Sequence, residues 1–481
     1  MTCVKRSRIR RCVSVKFYAL LLMLALSLFF SSTSSAATRL VVNTAPDTGQ
    51  GSGGCTSVGN NCSLSRALSQ ANPNDTIELR VASYNANNRT YTVPKSGMII
   101  RSQAGQKYTI SNFATAGTAF TVSVGGVTFQ DLILNGGNST TTGINTSSNN
   151  LIINNLTLQN FTGNALYTSG SAAATTVQNT TIEGSDTGIY SSSQTLTVDG
   201  STIRNNTNYG VVIDNVKRNT IQNSTITNNN RGVYWHDSIV QTDADKNQLL
   251  NTTISNNATY GVWISSSKFA YIKNCTINNN GKGIVLYGSS VSETYIQQNS
   301  IYQNSTGGQG MGIDFNDDGV TTNNGDNSET SMPNNGIDYP VINQISLSGS
   351  TLTVRGCSPS NASVELFKAD SADPPSYGGN CSFTSAISCG GISCSDTNSD
   401  CSNFGQGKVY LGTFTAGSGG MQGQDNCWEA IMDITGKDIG YNDRITATTT
   451  ISGKGTSEFS RRAIVVKTDR LRLIHWKEVV Q

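Results

Sequence analysis

Two groups of residues in this chain have the types and spacing to do chemistry. The first is the run Asp314-x-Asn316-x-Asp318-Gly319. Side-chain oxygens at alternate positions around a turning glycine form the first half of a calcium loop of the twelve-residue kind. The twelfth position should carry a bidentate glutamate; here it is Gly325, and Asp326 follows it. The expectation is a structural calcium on Asp314, Asn316, Asp318 and Asp326, set against the plainer reading of an Asn/Asp turn that needs no cation. The second group is scattered along the chain: Asp214, Arg231, Tyr234, His236, Asp237 and Trp263. Aromatic faces pack on pyranose rings while polar groups fix their hydroxyls. Tyr234, His236, Trp263 and Asp214 would therefore make a carbohydrate platform, provided the fold brings them together. The plainer reading is that outward aromatics shield a sheet face and that an Asp beside a His is a surface pair. Catalysis asks for more: two carboxylates at a set separation, or a base beside a neutralised uronate. Asp214, Asp237 and Arg231 are the candidates for that role.

A repeat must position these residues. One phrase recurs: Asn155-Leu156-Thr157-Leu158, Asn179-Thr180-Thr181-Ile182, Asn223-Ser224-Thr225-Ile226, Asn251-Thr252-Thr253-Ile254, Asn274-Cys275-Thr276-Ile277. The anchors Leu158, Ile182, Ile203, Ile226, Ile254, Ile277 and Ile301 are 24, 21, 23, 28, 23 and 24 residues apart, so insertions are confined to loops. Self-similarity at this period marks a solenoid. A leucine-rich horseshoe would need Leu-x-x-Leu-x-Leu and helical stretches; here the apolar residues are β-branched and the spacers are Asn, Thr and Gly. The expected fold is all-β, a right-handed parallel β-helix. Asn160, Asn205, Asn228, Asn256 and Asn279, two residues past their anchors, are expected to form an amide ladder at a turn. Gly188, Gly210, Gly232, Gly261 and Gly283 mark another turn and are expected at positive φ. Counting in twos from each glycine places Tyr190, Val212, Tyr234, Trp263 and Val285 in one outward column, with Ser192, Asp214, His236, Ser265 and Tyr287 beyond it.

Composition fits a solenoid. The chain has 481 residues, 48 of them Gly, with 36% hydrophobic and 13% charged residues. A thin core shared between neighbouring coils needs no more. Lys5 to Lys16 is basic, Phe17 to Phe30 mostly apolar, and Ser34-Ser35-Ala36-Ala37 offers small residues for cleavage, which reads as an export signal over residues 1–36. That apolar run is short of the ~20 residues that span a bilayer. No transmembrane segment is expected after cleavage, and the protein is expected to be secreted or on the cell surface. Removing residues 1–36 takes six of the 33 Lys and Arg and none of the 31 Asp and Glu, leaving a net charge of about −4. Nucleic-acid binding, which wants a basic face, is excluded.

Val41-Val42-Asn43-Thr44, Asp47, Cys55 and Cys62-Ser63-Leu64-Ser65-Arg66-Ala67-Leu68, followed by Asp75-Thr76-Ile77, resemble the CSLREA domain, which opens secreted or surface bacterial β-helix proteins of the pectin-lyase-like superfamily. Ser65-Arg66-Ala67-Leu68 departs from the usual Arg-Glu-Ala-Ile. The resemblance implies a cap over the first coil. Independently of it, Leu64, Ala67, Leu68 and Ala71 lie on one helical face, with Ser63 as N-cap and Asn72-Pro73 as the stop. The polygalacturonase signatures Gly-His-Gly and Arg-Ile-Lys are absent, and His236 and His475 are the histidines available.

From Val341 the texture changes to short alternating strands, which suggest an antiparallel sandwich similar to the Ig-like modules that follow such helices. The expected layout is 1–36 signal, 37–110 cap and first coils, 111–340 β-helix, 341–468 Ig-like sandwich with a Cys-rich insertion, and 469–481 tail. Of 11 cysteines, Cys357, Cys381, Cys389, Cys394, Cys401 and Cys427 cluster late. Six cysteines allow 15 pairings, and their spacing favours disulfides over a metal site. Cys275 occupies a Thr/Ser slot of the repeat and is expected as a packed free thiol. Two functions follow. One is a non-catalytic scaffold that binds a polysaccharide or cell-surface glycan. The other is a polysaccharide lyase or glycoside hydrolase of the pectin-lyase-like class.

Overall fold

A computed structural model of the chain describes residues 36–42, 46–49, 54–56, 61–236, 242–305, 311–325, 327–373, 388–389, 392–393, 404–417 and 427–467. From Thr38 to Phe315 the strands stack in parallel, each pairing with its counterpart in the coil before and the coil after. The repeat dictates this. Leu134, Leu158, Ile182, Ile203, Ile226, Ile254, Ile277 and Ile301 are register partners in one ten-stranded sheet among the described residues. Each is 0–1% exposed. The flanking threonines stay half-buried on the outer side, as a period of two requires. At the N-terminal end, helix Leu64–Ser69 buries Leu64, Ala67 and Leu68. Ser63 Oγ caps it by accepting from Arg66 N at 3.2 Å, and a Cys55–Cys62 disulfide ties the preceding turn. No helix among the described residues is long and apolar enough to cross a membrane.

Two expectations about the corners are corrected. The asparagines two past the anchors do not form the main amide ladder. Asn160, Asn205, Asn228, Asn256 and Asn279 sit at φ between 55 and 62°, the left-handed region that Asn tolerates better than other side-chain-bearing residues. Each left-handed residue turns the chain so that the next side chain points inward, and there the ladder runs. Asn206, Asn229, Asn257, Asn280 and Asn304 are buried. The side-chain oxygens of Asn229, Asn257, Asn280 and Asn304 each accept from the backbone N–H of the Asn in the preceding coil, at 3.0–3.1 Å, and also from its amide at 2.8–3.1 Å; Asn206 Oδ1 starts the ladder by accepting from Ser185 N at 3.1 Å. The glycines Gly188, Gly210, Gly232, Gly261 and Gly283 are not at positive φ. They are close-approach positions instead. A Cβ on Gly210 would stand 2.7 Å from the Gly232 oxygen and 2.8 Å from Ile226 Cγ2. The third corner element is as expected: Cys275 is a buried free thiol in the Thr/Ser column, its pKa pushed up to about 12 by burial.

The C-terminal region is two mostly antiparallel sheets. Cys427–Asp433, Thr351–Cys357 and Val341–Ser348 form one, with Val466–Lys467 added in parallel. Val409–Thr415, Ser363–Lys368 and Arg444–Ile451 form the core of the other. Leu352, Val354, Val364, Leu366, Trp428, Ile445 and Ala447 fill the space between them. Cys357 and Cys427 are both disulfide-bonded; Cys381, Cys394 and Cys401 lie outside the described residues, as do residues 1–35, where an export signal is expected, and residues 468–481. This sandwich closes the open end of the last coil. Gln406 Oε1 accepts from Asn304 N and Nδ2, both at 3.0 Å, so a glutamine of the sandwich takes the final rung of the ladder. Glu365, Asp373 and Glu458 accept from the backbone N–H groups of Gln298, Gln303, Phe315 and Thr321 at 2.7–2.9 Å.

Two measurements follow. Asn257→Ala leaves buried groups of Asn229 and Ile226 unpaired and should cost about 1–3 kcal/mol per orphaned group in urea denaturation. Asn256→Gly, one residue earlier at positive φ, should cost much less, because glycine adopts that conformation freely. Burial raises Asp373 from 3.8 to about 6. The folded state thus keeps a proton that the unfolded state releases near 3.8, and stability falls as pH rises between these values. The urea midpoint of the wild type should drop over that window, and Asp373→Asn should make the drop shallower.

Candidate functional site

Register places the scattered candidates in three outward columns on one sheet face. The first runs Tyr209, Arg231, Tyr260, Lys282. The second runs Tyr167, Tyr190, Val212, Tyr234, Trp263, Val285, Asp314. The third runs Asp214, His236, Ser265, Tyr287. The alternation expected from the glycines holds. Val211, Val233 and Val262, one past the glycine, and Ile213, Trp235 and Ile264, three past it, are all 0–1% exposed. Tyr234 and Trp263 are direct register partners, as are Asp214 and His236. Asp237 lies outside the described residues.

Counting in twos missed Tyr209 and Tyr260. Each immediately precedes a glycine, so strict alternation with Val211 and Val262 would turn both inward. The close-packed glycine instead marks a bend where two consecutive residues face the core, and the residue before it returns to the outer face. A bulky aromatic before the glycine of a repeat was the available signal.

Tyr209, Arg231, Tyr234, Tyr260 and Trp263 line a cleft of about 180 Å³. The Tyr209 and Tyr234 rings lie 5.4 Å apart, and Tyr234 stacks on His236 at 5.6 Å. Tyr260 meets Trp263 edge-on at 4.6 Å, and Trp263 stacks on Tyr287 at 5.2 Å. The Arg231 guanidinium lies 5.0 Å from the centre of the Tyr209 ring and donates to Asn208 Oδ1 at 2.7 Å. The polar candidates are engaged by neighbours. Tyr190 OH donates to Asp214, and burial, followed by that carboxylate, raises the phenol. His236 Nδ1 is 2.9 Å from Ser265 Oγ.

The calcium-type run joins the same face at its C-terminal end. Asp314 is the next residue of the Tyr234–Trp263 column, but it is 1% exposed. Lys282 Nζ reaches Asp314 Oδ2 at 3.1 Å and Asp317 Oδ1 at 2.6 Å. Asp314 Oδ1 accepts from Gly319 N at 3.2 Å. Asn316 Oδ1 is turned away, accepting from Gly288 N at 3.0 Å, and Asp318 is exposed. Asp326 lies outside the described residues. Three of the expected ligands thus address three different places, and no group of three His, Cys, Asp or Glu among the described residues is arranged to hold a metal. Burial raises Asp314 to about 6, against the pull of Lys282.

Residues 87–249 and 164–326 match the family described as right handed beta helix region. The solenoid is a right-handed β-helix. Three solved structures are similar to this chain over part or most of its length. The A-module of the Azotobacter vinelandii mannuronan C-5 epimerase AlgE6 is 15% identical, with a TM-score of 0.43 over 52% of this chain and 72% of that one. A pectate lyase is 18% identical, with a TM-score of 0.32 over 58% and 75%. The Dettilon tailspike protein is 11% identical, with a TM-score of 0.38 over 88% and 91%.

The Lys282 ammonium fills the turn between Asp314 and Asp317. Melting curves with calcium and with chelator are therefore expected to coincide; a higher Tm in calcium would assign a cation to this turn. Lys282→Ala strands the buried Asp314 and should cost about 3 kcal/mol in the same assay.

Proposed function

We propose that this is an exported, non-catalytic β-helix protein that binds a glycan on the aromatic face of Tyr234 and Trp263. The observation that carries this reading is the cleft itself: four aromatic side chains and one arginine, drawn from three successive coils, converge on one concave patch. Apolar walls with a few placed polar groups are the usual form of a small-ligand site. Tyrosine and tryptophan supply large contact area at low entropic cost.

Binding is favoured over cleavage by the state of the carboxylates. Among the described residues of this face, Asp214 holds a tyrosine hydroxyl, while Asp314 and Asp317 share Lys282. No described pair of free carboxylates flanks the cleft, as hydrolysis with two acids requires.

The test is a panel of neutral and acidic polysaccharides incubated with the full chain, read for binding and for products. Binding without reducing or unsaturated ends is expected. Trp263→Ala and Tyr234→Ala should each weaken it at least about tenfold, as loss of a central aromatic anchor does, with Tm unchanged. Products that disappear in Asp214→Ala would replace this reading with an enzymatic one.

A further inference from the structure

The aromatic side chains do not make a continuous platform. They make two walls. Ring contacts link Tyr209, Tyr234 and His236 on one side and Tyr260, Trp263 and Tyr287 on the other. Among the described residues no ring contact joins the walls, although Tyr234 and Trp263 are partners in register. The gap between them is the cleft. A cavity of ~150 Å³ holds one six-membered ring, so about 180 Å³ is enough for one sugar ring. Arg231 stands between Tyr209 and Tyr260 in the first column and lines the slot.

Arg231 differs electrostatically from Lys282, the other cation of its column, and from Lys217 and Arg218. Lys282 is held by Asp314 and Asp317, and Lys217 and Arg218 by Asp245. Among the described residues no carboxylate pairs with Arg231. Its described contacts are neutral: the Asn208 amide oxygen and the Tyr209 ring. Both fix the guanidinium in place without consuming its charge. A guanidinium has five N–H donors in a rigid fork that fits two oxygens of an oxyanion at once. Here most of that fork is unspent, half-buried and beside apolar walls, where a charge-assisted pair gains strength.

We infer that the slot takes an anionic sugar ring between Tyr234 and Trp263, with its carboxylate or sulfate group on the Arg231 fork. This rests on the glycan-binding reading of the face and narrows it: the ligand carries a negative group on the inserted ring.

Calorimetry on the full chain separates these points. The probes are an oligosaccharide ending in a glucuronate ring, the same oligosaccharide with that carboxyl reduced to hydroxymethyl, and the reduced form with a sulfate ester in its place. Both charged probes, or one of them, should bind at least tenfold more tightly than the reduced probe; which one does identifies the oxyanion. Arg231→Gln should erase the difference while leaving Tm unchanged, and Arg231→Lys should restore only part of it. Equal binding of charged and reduced probes, with Arg231→Gln silent and Trp263→Ala still damaging, would overturn the anionic ligand and leave the glycan face standing. No binding by any probe, with Trp263→Ala indistinguishable from wild type, would remove the glycan face itself and this inference with it.

Discussion

A buried asparagine amide has two donors and an oxygen, and none of them reaches water. In the coils of this protein that constraint is met chiefly along the axis. Asn206 is satisfied by Asn229, Asn229 by Asn257, Asn257 by Asn280, and Asn280 by Asn304. Slipping one strand by a residue would leave a polar group unpaired in the core, at a cost of about 1–3 kcal/mol for each. Hydrophobic burial makes the coils stack; the amides fix which residue stacks on which. The 28-residue step between Ile226 and Ile254 shows the strength of this rule. Its extra residues leave as a loop that includes Thr242 to Lys246, and the register on both sides is kept.

The cleft depends on that register. Tyr209, Tyr234 and Trp263 are separated by 25 and 29 residues in sequence, yet they face one another because the buried columns lock their coils. Electrostatics then divides the face. Toward the C-terminal end, carboxylates and Lys282 neutralise each other in a half-buried cluster. In the middle, aromatic rings surround one arginine whose charge is not answered within the described protein. Arg231 and Lys282, separated by Tyr260 in a single column, therefore differ physically: the first has no carboxylate partner among the described residues, and the second is consumed by the fold.

Much of this was legible in the sequence. The anchors Leu158 to Ile301 were in phase by number alone, so the fold class and the outward placement of Tyr234, His236 and Trp263 could be read from spacing and alternation. The N-terminal helix was legible from Leu64, Ala67, Leu68 and its Ser63 cap. The corners were harder. Paired Asn residues such as Asn256-Asn257 have the same composition, and only backbone geometry shows that the first turns the chain and the second holds the ladder. The glycines were misread for a related reason. Glycine serves both where φ must be positive and where a Cβ has no room, and the neighbouring coil that removes the room is absent from a linear sequence. That same bend concealed Tyr209 and Tyr260. The run from Asp314 to Gly319 had the letters of a calcium loop, but Lys282, 32 residues upstream of Asp314, already occupies its first carboxylate.

Gln406 gives the ladder a last rung from outside the repeat. A stack of identical coils contains no instruction about how many there should be, since every coil offers the next the same pattern of donors and the same apolar floor. Glu365, Asp373, Gln406 and Glu458 consume most of that offer with side chains, and backbone meets the coil in isolated contacts such as Thr294 with Gly455 and Ile301 N with Gly407 O. Side-chain acceptors cannot pass the pattern on. The sandwich is thus a terminator of one-dimensional growth: it sets the length of the solenoid and keeps one molecule from serving as the template for another.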